Sequence, residues 1–322
     1  GFKTDSGTND TIQLFRGRLS KVAMKETKVN LTFDDALAQL KTKTVGTDIS
    51  PVSYLNSTYN PADIMWWVVT SYGGLSNVKS VSNSDINYIQ WLEWHDIFTN
   101  DSVFVQANFE GENVIEILDS IKDITDSVVY AEGDNKLYFS RWTGIISSLF
   151  ITLTDSYITK TTELNINGNS ILNKISVQTS YDPSAGTWAG TVTTQNTTSS
   201  NSYGVYEQVY DNTNIWYVTS ASAINLGERI TYRRSEPSVS LKIKTPLNMI
   251  HLQLGDEIVL TSRIYSYTTQ NFILQEYEKN TETKVITLTL DDGFNIGGGR
   301  LGGFILDNNY WGKLDQSYNH LN

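Results

Sequence analysis

Two pairs of adjacent carboxylates, Asp34-Asp35 and Asp291-Asp292, are the residues best suited to acid–base chemistry. A glycosidase needs two carboxylates set across a sugar, one of them acting as the acid. The first pair, however, precedes a short apolar segment, where an aspartate caps a helix, and the second pair closes a strand. Capping and turn formation explain both pairs, so we favour the structural interpretation over a polysaccharide-degrading enzyme.

Other catalytic and metal-binding patterns are missing from the sequence. The chain has no cysteine, which excludes a disulfide scaffold, a thiolate zinc site and a cysteine nucleophile. The three histidines, His95, His251 and His320, are scattered, and His95 is better explained as a helix-surface or core residue than as a base. The segment Gly297–Gly303 contains Arg300 but lacks the Gly-Lys-Ser/Thr of a phosphate loop, so it predicts a mobile connector. We therefore predict no catalytic residue, no metal and no cofactor.

The chain is rich in aromatic residues, with eight Trp and 18 Tyr. Trp188, Trp216 and Trp311 lie in polar sequence surroundings and are candidates for stacking on sugar rings. Aromatic residues are also packing anchors and are enriched at protein interfaces, and we favour that interpretation. Carbohydrate binding stays open as the alternative.

Charge and length narrow the function further. A net charge of -11 disfavours a nucleic-acid surface, which is usually basic, and docking on anionic lipid. No stretch approaches the roughly 18 apolar residues of a membrane span. A length of 322 residues suits more than one domain.

The first half of the chain predicts a mixture of strands and helices. Residues 12–33 predict strands, with the charged segment Lys25–Lys28 as a hairpin tip. The second half, Val29–Phe33, alternates apolar and polar residues strictly, which predicts a half-buried strand. Asn60-Pro61 predicts a helix start, and residues 84–98, with Ser84 as the cap, predict a second helix. Apolar residues at helical spacing within Glu112–Asp126 predict a third, followed by a hairpin over Val128–Trp142.

The second half predicts mostly β-structure, over residues 155–293. Alternation within Val239–Ile243, Phe272–Tyr277 and Val285–Leu290, with turns between these segments, indicates an antiparallel meander that closes a small barrel or sandwich. Thr187–Tyr203 is dominated by Thr, Ser, Asn and Gly and predicts an exposed hairpin or a flexible loop. Asn225–Arg234 is compatible with either a helix or a strand.

Four phrases, taken in this order, carry a resemblance to a known family: Leu14–Leu19 with the hairpin up to Leu37, Tyr59–Leu75, Val114–Trp142 and Leu252–Leu260. They resemble tail hub proteins of tailed bacteriophages, the baseplate hub or tail-tip proteins related to the hubs of contractile tails and type VI spikes. The likeness lies in element order and phrase, and no single motif is diagnostic.

The resemblance implies a mainly β fold with an inserted α+β domain and small antiparallel β-barrel tube domains. Residues 1–45 would end a first barrel, 46–154 would form the inserted domain, 155–293 the second tube domain and 294–322 a Gly-rich C-terminal extension. The first half of the first barrel is lacking, so we expect that the chain begins inside a longer product or that a partner chain completes the barrel.

The resemblance also implies a structural function in the virion. Such hubs are homotrimers in which two barrels per subunit present a near-sixfold ring to the tail tube. The implied partners are the tail tube or a distal tail protein and tip, spike or fibre proteins, with DNA passing through a central channel without specific binding. The alternative is a carbohydrate-binding receptor adhesin of the tail tip.

Overall fold

A computed structural model describes residues 2–3, 9–10, 18–25, 28–47, 50–131, 134–141, 151–167, 170–246, 249, 252, 254–263, 267–280 and 283–292. The chain divides into two compact units. One comprises Gly1–Arg141, Gln178–Val192 and Tyr210–Ala223, and the other comprises Trp142–Val177, Thr193–Val209 and Ile224–Asn322. The prediction of a mainly β chain with several helices is confirmed. The four predicted domain ranges stay predictions.

The strands are short in the first half of the chain and longer in the second. The first ten are β1 (Phe2–Lys3), β2 (Asn9–Asp10), β3 (Arg18–Lys25), β4 (Lys28–Asp34), β5 (Thr44–Val45), β6 (Val52–Tyr59), β7 (Val105–Phe109), β8 (Glu112–Asn113), β9 (Ser127–Ala131) and β10 (Leu137–Arg141). The next ten are β11 (Ile151–Thr154), β12 (Lys160–Asn167), β13 (Lys174–Asp182), β14 (Thr187–Gln195), β15 (Glu207–Tyr210), β16 (Ile215–Tyr217), β17 (Ser238–Pro246), β18 (Glu257–Ser262), β19 (Tyr267–Asn280) and β20 (Val285–Asp291). The α-helices are α1 (Ala36–Leu40), α2 (Pro61–Trp67), α3 (Tyr88–Asn100), α4 (Val114–Thr125), α5 (Thr197–Tyr203) and α6 (Ser220–Arg233).

Helix α4 forms the centre of the first unit, and the sequence prediction for it is confirmed. The Glu116 carboxylate accepts a hydrogen bond from the backbone N–H of Asn113 at 3.0 Å, and Asp126 ends the helix in the left-handed conformation. The apolar positions at helical spacing are all buried: Val114, Ile117, Leu118, Ile121 and Ile124. They pack α4 against α1, α2 and β9, which pairs with β10 in the predicted hairpin.

Helix α2 begins at the predicted Asn60-Pro61. The Asn60 Oδ1 accepts a hydrogen bond from the backbone N–H of Ala62 at 2.8 Å. Its Nδ2 donates to the His95 carbonyl and to Thr99 Oγ1, both at 3.0 Å. Asn60 therefore caps α2 and also ties it to α3.

Replacing Asn60 with Ala is expected to lower the free energy of unfolding by about 2 kcal/mol, because the variant loses a helix cap and two donor bonds of a buried amide. Urea unfolding followed by tryptophan fluorescence measures this loss. Asn87→Ala is the matched control, because Asn87 caps α3 with one bond to the Gln90 N–H at 3.2 Å. Its expected loss is about 1 kcal/mol, and equal losses would show that the donor bonds of Asn60 contribute nothing.

Helix α2 continues past Trp67 as a π-helical turn over Val68–Tyr72. The Gly73 N–H donates to the Val68 carbonyl at 3.1 Å, five residues back. A Cβ at Gly73 would lie 2.4 Å from the Val69 carbonyl oxygen and 2.5 Å from the Leu40 side chain, so glycine is required there. The turn places the Tyr72 ring against Trp67, with ring centroids 4.8 Å apart.

A sheet in the order β14-β13-β16-β7-β6, with β15 also paired to β13, collects strands that are distant in sequence. The β6–β7 and β7–β16 pairs are antiparallel, whereas β13 pairs with β16 in parallel. The parallel pair brings the neighbourhood of Thr179 beside Tyr217, which the sequence pattern did not predict.

A second sheet, in the order β11-β18-β19-β20-β17-β12, forms the core of the second unit. The predicted meander is present as β18, β19 and β20, but β11 joins it as a parallel partner of β18. Alternate residues of these strands form one apolar cluster: Leu153, Leu241, Ile243, Ile258, Leu260, Phe272, Leu274, Ile286, Leu288 and Leu290, with Met249 and Leu252.

Two local predictions differ from the structure, and a third, which was left open between helix and strand, is resolved by it. The helix predicted from Ser84 begins at Tyr88, because the Asn83 side chain instead accepts the N–H groups of Asp85 and Ile86 in a preceding turn. Thr187–Tyr203 forms β14 and α5 rather than a loop. Its polar composition reflects the solvent exposure of alternate β14 residues. The ambiguous Asn225–Arg234 lies almost entirely within α6.

Candidate interaction surfaces

Trp188 and Trp216, two of the three candidate tryptophans, lie close together in the sheet that contains β14, β13 and β16. Trp188 packs on Tyr181 with ring centroids 4.7 Å apart, and Tyr181 meets Trp216 edge-on at 5.3 Å. Trp216 is 2% exposed, and its indole N–H has no hydrogen-bond partner among the described residues. Trp216 is therefore a packing residue in this chain, whereas sugar stacking on the half-buried Trp188 stays a prediction. Trp311 lies outside the described residues.

The acidic pairs have structural partners. Asp35 caps α1 by accepting the Ala38 N–H at 2.7 Å, which confirms the capping interpretation. Asp292 accepts the Val239 N–H at 2.6 Å and so joins the end of β20 to the start of β17. In the part of the chain that the structure describes, no group of three or more His, Asp or Glu side chains is placed to hold a metal ion. The segment Gly297–Gly303 lies outside that part.

His95 lies at a polar corner between α2 and α3. Its Nε2 is 3.5 Å from Asp63 Oδ2, and its Nδ1 is 3.2 Å from Asp96 Oδ1. Lys79 Nζ lies 3.7 Å from Asp63 Oδ1 and 4.5 Å from the centre of the Trp91 ring. These contacts hold the segment that carries Lys79 against both helices. His95 is therefore a helix-surface residue with structural contacts.

The β3–β4 hairpin carries an exposed apolar face. Its register pairs Leu19 with Phe33, Val22 with Leu31 and Met24 with Val29. A β-bulge between Leu19 and Lys21 returns Leu19 to the face of Val22 and Met24. The exposed fractions are 47% for Leu19, 51% for Val22, 81% for Met24 and 57% for Val29. The sequence predicted a half-buried hairpin, but within this single chain these side chains are exposed.

The outer face of α3 is the second exposed surface with apolar residues. Ile89, Leu92, Glu93 and Asp96 recur at helical spacing and are all exposed, with Ile89 at 54% and Leu92 at 40%. Ile89 and Leu92 are apolar residues of the helix that the sequence predicts over residues 84–98, where they would be expected to face the core. The positions that face the core are instead taken by aromatic side chains: Trp91, Trp94 and Phe98. We call the four outer residues, Ile89, Leu92, Glu93 and Asp96, the α3 stripe.

Glu257 and Asp155 are two of the carboxylates of the second unit whose pKa values are shifted. Burial raises the pKa of Glu257, whose Oε1 accepts from Asn271 Nδ2 at 2.7 Å and whose Oε2 has no partner among the described residues. A hydrogen bond from Ser262 Oγ at 2.6 Å, with another from the Arg263 N–H at 3.0 Å, lowers the pKa of Asp155. Asp155 thus ties the segment after β11 to the end of β18.

The described helices include none with the length and apolar character needed to cross a bilayer.

Comparison with known proteins identifies the fold. No protein-family model and no curated protein matches the chain. Among solved structures, a prophage tail protein from Listeria monocytogenes matches 86% of this chain and 78% of its own, at 15% identity and a TM-score of 0.51. A tail protein from Neisseria meningitidis matches 86% of this chain and 80% of its own, at 11% identity and a TM-score of 0.55.

A third match is the 43 kDa tail protein of prophage MuSo2 from Shewanella oneidensis. It covers 91% of this chain and 88% of its own, at 10% identity and a TM-score of 0.51. At these identities the likeness is one of fold, and it extends over both units of the chain. The fold is therefore one that phage tail proteins use.

Proposed function

We propose that the chain is a structural hub protein of a phage tail tip or baseplate and that it is located in the virion. The observation that carries this proposal is the fold shared with three tail proteins, two of them from prophages, over 86%, 86% and 91% of the chain. A structural part of a tail needs no catalytic residues, which agrees with the structural roles of Asp35, which caps α1, and Asp292, which joins β20 to β17. In this role the chain joins the tail tube to the distal tip.

The sheet of the second unit supports a tube-like barrel. Its edge strands β11 and β12 are joined by residues 155–159, of which Asp155–Tyr157 form a 3₁₀ turn. A flat six-stranded sheet would separate its edges by about 24 Å, at about 4.8 Å per strand. Residues in a 3₁₀ turn rise about 2 Å and extended ones about 3.5 Å, so this connector reaches only about 16 Å. We infer that the sheet curls into a small barrel that stays open between β11 and β12.

The contacts of the connector agree with this curvature. Its first residue, Asp155, is bound to Ser262 and Arg263 at the end of β18. Its last residue, Thr159, donates from its backbone N–H to the Lys244 carbonyl of β17 at 2.8 Å. Strands β18 and β17 are three positions apart in the sheet, about 14 Å if it is flat, so these contacts are compatible with the curvature that the distance between the edge strands requires.

Replacing Asp155 with Ala is expected to lower the urea midpoint of unfolding at pH 7, and to lower it by less at pH 3. The pKa of Asp155 is lowered in the folded state, so its stabilisation is present above the ordinary value of 3.8 and is lost as the pH falls through the folded pKa. Ser262→Ala, which removes the main donor, should reproduce part of the loss at pH 7. Equal shifts at both pH values would contradict the role of the charged form.

The proposed assembly is a homotrimer. Three copies with two barrels each would present a near-sixfold ring to the tail tube, with tip, spike or fibre proteins on the distal side. DNA would pass through the centre without specific binding. The net charge of -11 is compatible with a channel that does not retain the phosphate backbone.

Electron microscopy of the purified full chain tests the proposal directly. We expect particles with threefold symmetry and a central hole, and light scattering over a concentration series should approach the mass of three chains. A particle with twofold symmetry, or a chain that stays monomeric at every concentration and forms no ring, would overturn the proposed function.

A further inference from the structure

The apolar face of the β3–β4 hairpin needs a covering surface. An isolated two-stranded hairpin is marginally stable in water, and a sheet gains independent stability from further strands or from packing. In the described part of the chain, β3 and β4 pair only with each other. Four of their apolar side chains are 47% to 81% exposed. The hairpin therefore has the composition of a surface that another molecule covers.

The charges favour a surface of the same protein outside the hairpin. Residues 18–34 contain four basic and two acidic residues, a net charge of +2 in a chain whose total is -11, so the remainder carries -13. The register also places Lys25 opposite Lys28 at the tip. Two such hairpins would repel each other, whereas a hairpin and the remainder of a second copy attract.

The α3 stripe offers the matching chemistry within the chain. It combines two exposed apolar residues, Ile89 and Leu92, with two exposed carboxylates, Glu93 and Asp96. Helix α3 contains no Lys or Arg. An apolar face with basic neighbours and an apolar stripe with acidic neighbours are complementary in both respects.

Resting on the proposed threefold assembly, we propose that the hairpin of one copy packs its apolar face on the α3 stripe of the next copy. The two surfaces differ, so the contact is heterologous, and heterologous contacts close into rings when the rotation permits. A like-to-like contact would instead give a dimer. The hairpin would thus determine the direction in which the ring closes.

The expected contact is small. Strands of eight and seven residues form a face of about 27 Å by 10 Å, or about 270 Å², whereas a stable interface covers about 800 Å² per partner. Association through this contact alone is therefore weak, and a covalent trap is a better assay than the mass at equilibrium.

Cross-linking between single-cysteine variants tests the contact, because the chain has no cysteine of its own. Met24→Cys and Leu92→Cys are prepared separately, mixed in equal amounts and treated with a short bismaleimide. We expect a two-chain product in the mixture and in neither variant alone. Val205→Cys is the matched control for Leu92→Cys, since Val205 is 58% exposed in the other unit. The specific pair should give at least about tenfold more product than the control pair, because contact raises the effective concentration of the thiols.

Each other outcome overturns the inference. Cross-linking of Met24→Cys to itself would indicate hairpin-to-hairpin contact. Equal yields for the specific and control pairs would indicate random collision, and the absence of product in every pair would show that the surfaces do not meet. A gel shift with duplex DNA, with no specific cross-link in the mixture, would indicate a nucleic-acid surface instead.

The Met24→Glu variant separates this inference from the proposed function. Met24 is 81% exposed, so we expect an unchanged circular dichroism spectrum and unfolding midpoint. If the wild-type chain forms threefold rings, the variant should associate at least about tenfold more weakly, because a charge is buried in the contact. Rings that persist in the variant would overturn the inference and leave the hub function intact. A cross-link without rings would do the reverse.

Discussion

Replacing Leu118 with Asp is expected to unfold the first unit. Leu118 is 1% exposed on the buried face of α4, which contacts α1, α2 and β9. An unpaired carboxylate in this position costs about 4 kcal/mol or more, a large part of the roughly 5–15 kcal/mol that stabilise a domain. Urea unfolding should show the loss through the fluorescence of Trp94 and Trp216, both buried in this unit.

The matched control for Leu118→Asp is Ser120→Asp, which adds the same charge to the half-buried side of the same helix. Since Ser120 is polar and only half-buried, we expect a loss of at most about 1 kcal/mol. An unchanged melting temperature for Leu118→Asp would contradict the assignment of α4 as the centre of the unit.

Replacing Leu288 with Ala is expected to lower the free energy of unfolding of the second unit by about 2–5 kcal/mol. Leu288 is fully buried in the apolar cluster, on a strand that pairs with both β17 and β19. The surrounding strands are fixed on both sides and cannot collapse into the space that the side chain leaves. Calorimetry or urea unfolding of the full chain measures the loss.

Thr287→Ala provides the comparison within the same strand, because Thr287 points to the opposite, half-buried face. We expect a loss of at most about 1 kcal/mol, mainly from the lower β-propensity of Ala. If Thr287→Ala destabilised the chain as much as Leu288→Ala, the assignment of the inner face of the sheet would be wrong.

The elements that the sequence predicted well are those with a one-sided apolar pattern. Helix α4 has five apolar residues at helical spacing, and β17 and β20 alternate strictly, so their buried faces follow from the pattern alone. The start of α2 was equally clear, since Asn60 and Pro61 have one favoured position in a helix.

The elements that the sequence predicted poorly depend on neighbours distant in the chain. Trp216 closely follows the polar run Asp211–Asn214, but its strand lies between β13 and β7, which bury it. Strand β14 has polar residues on both faces, so it lacks the alternation that identifies a half-buried strand. Gly227 lies inside α6, although glycine is unfavourable in a helix. A larger residue does not fit there, because its Cβ would lie 2.5 Å from Thr194 Oγ1.

The candidate surfaces show a different limit of sequence analysis. The alternation in β3 and β4 predicts an apolar face correctly but does not specify which molecule covers it. Ile89 and Leu92 have the spacing of core residues, and only the packing of Trp91, Trp94 and Phe98 shows that they face outward. A pattern of apolar residues therefore predicts an apolar face, but it does not show whether the same chain or another molecule covers that face.

The π-helical turn at Val68–Tyr72 has a consequence for how this part of the chain can change in evolution. A π turn is an α-helix with one extra residue, so deleting any one residue of Val68–Tyr72 restores regular α-helical geometry. The widened turn takes up the extra residue, so the residues beyond it keep nearly the orientation that they would have in an uninterrupted α-helix. The stricter constraint lies at Gly73, where a Cβ would meet the Val69 carbonyl and the Leu40 side chain. Relatives are thus expected to tolerate a one-residue change of length within Val68–Tyr72 but no larger residue in the place of Gly73.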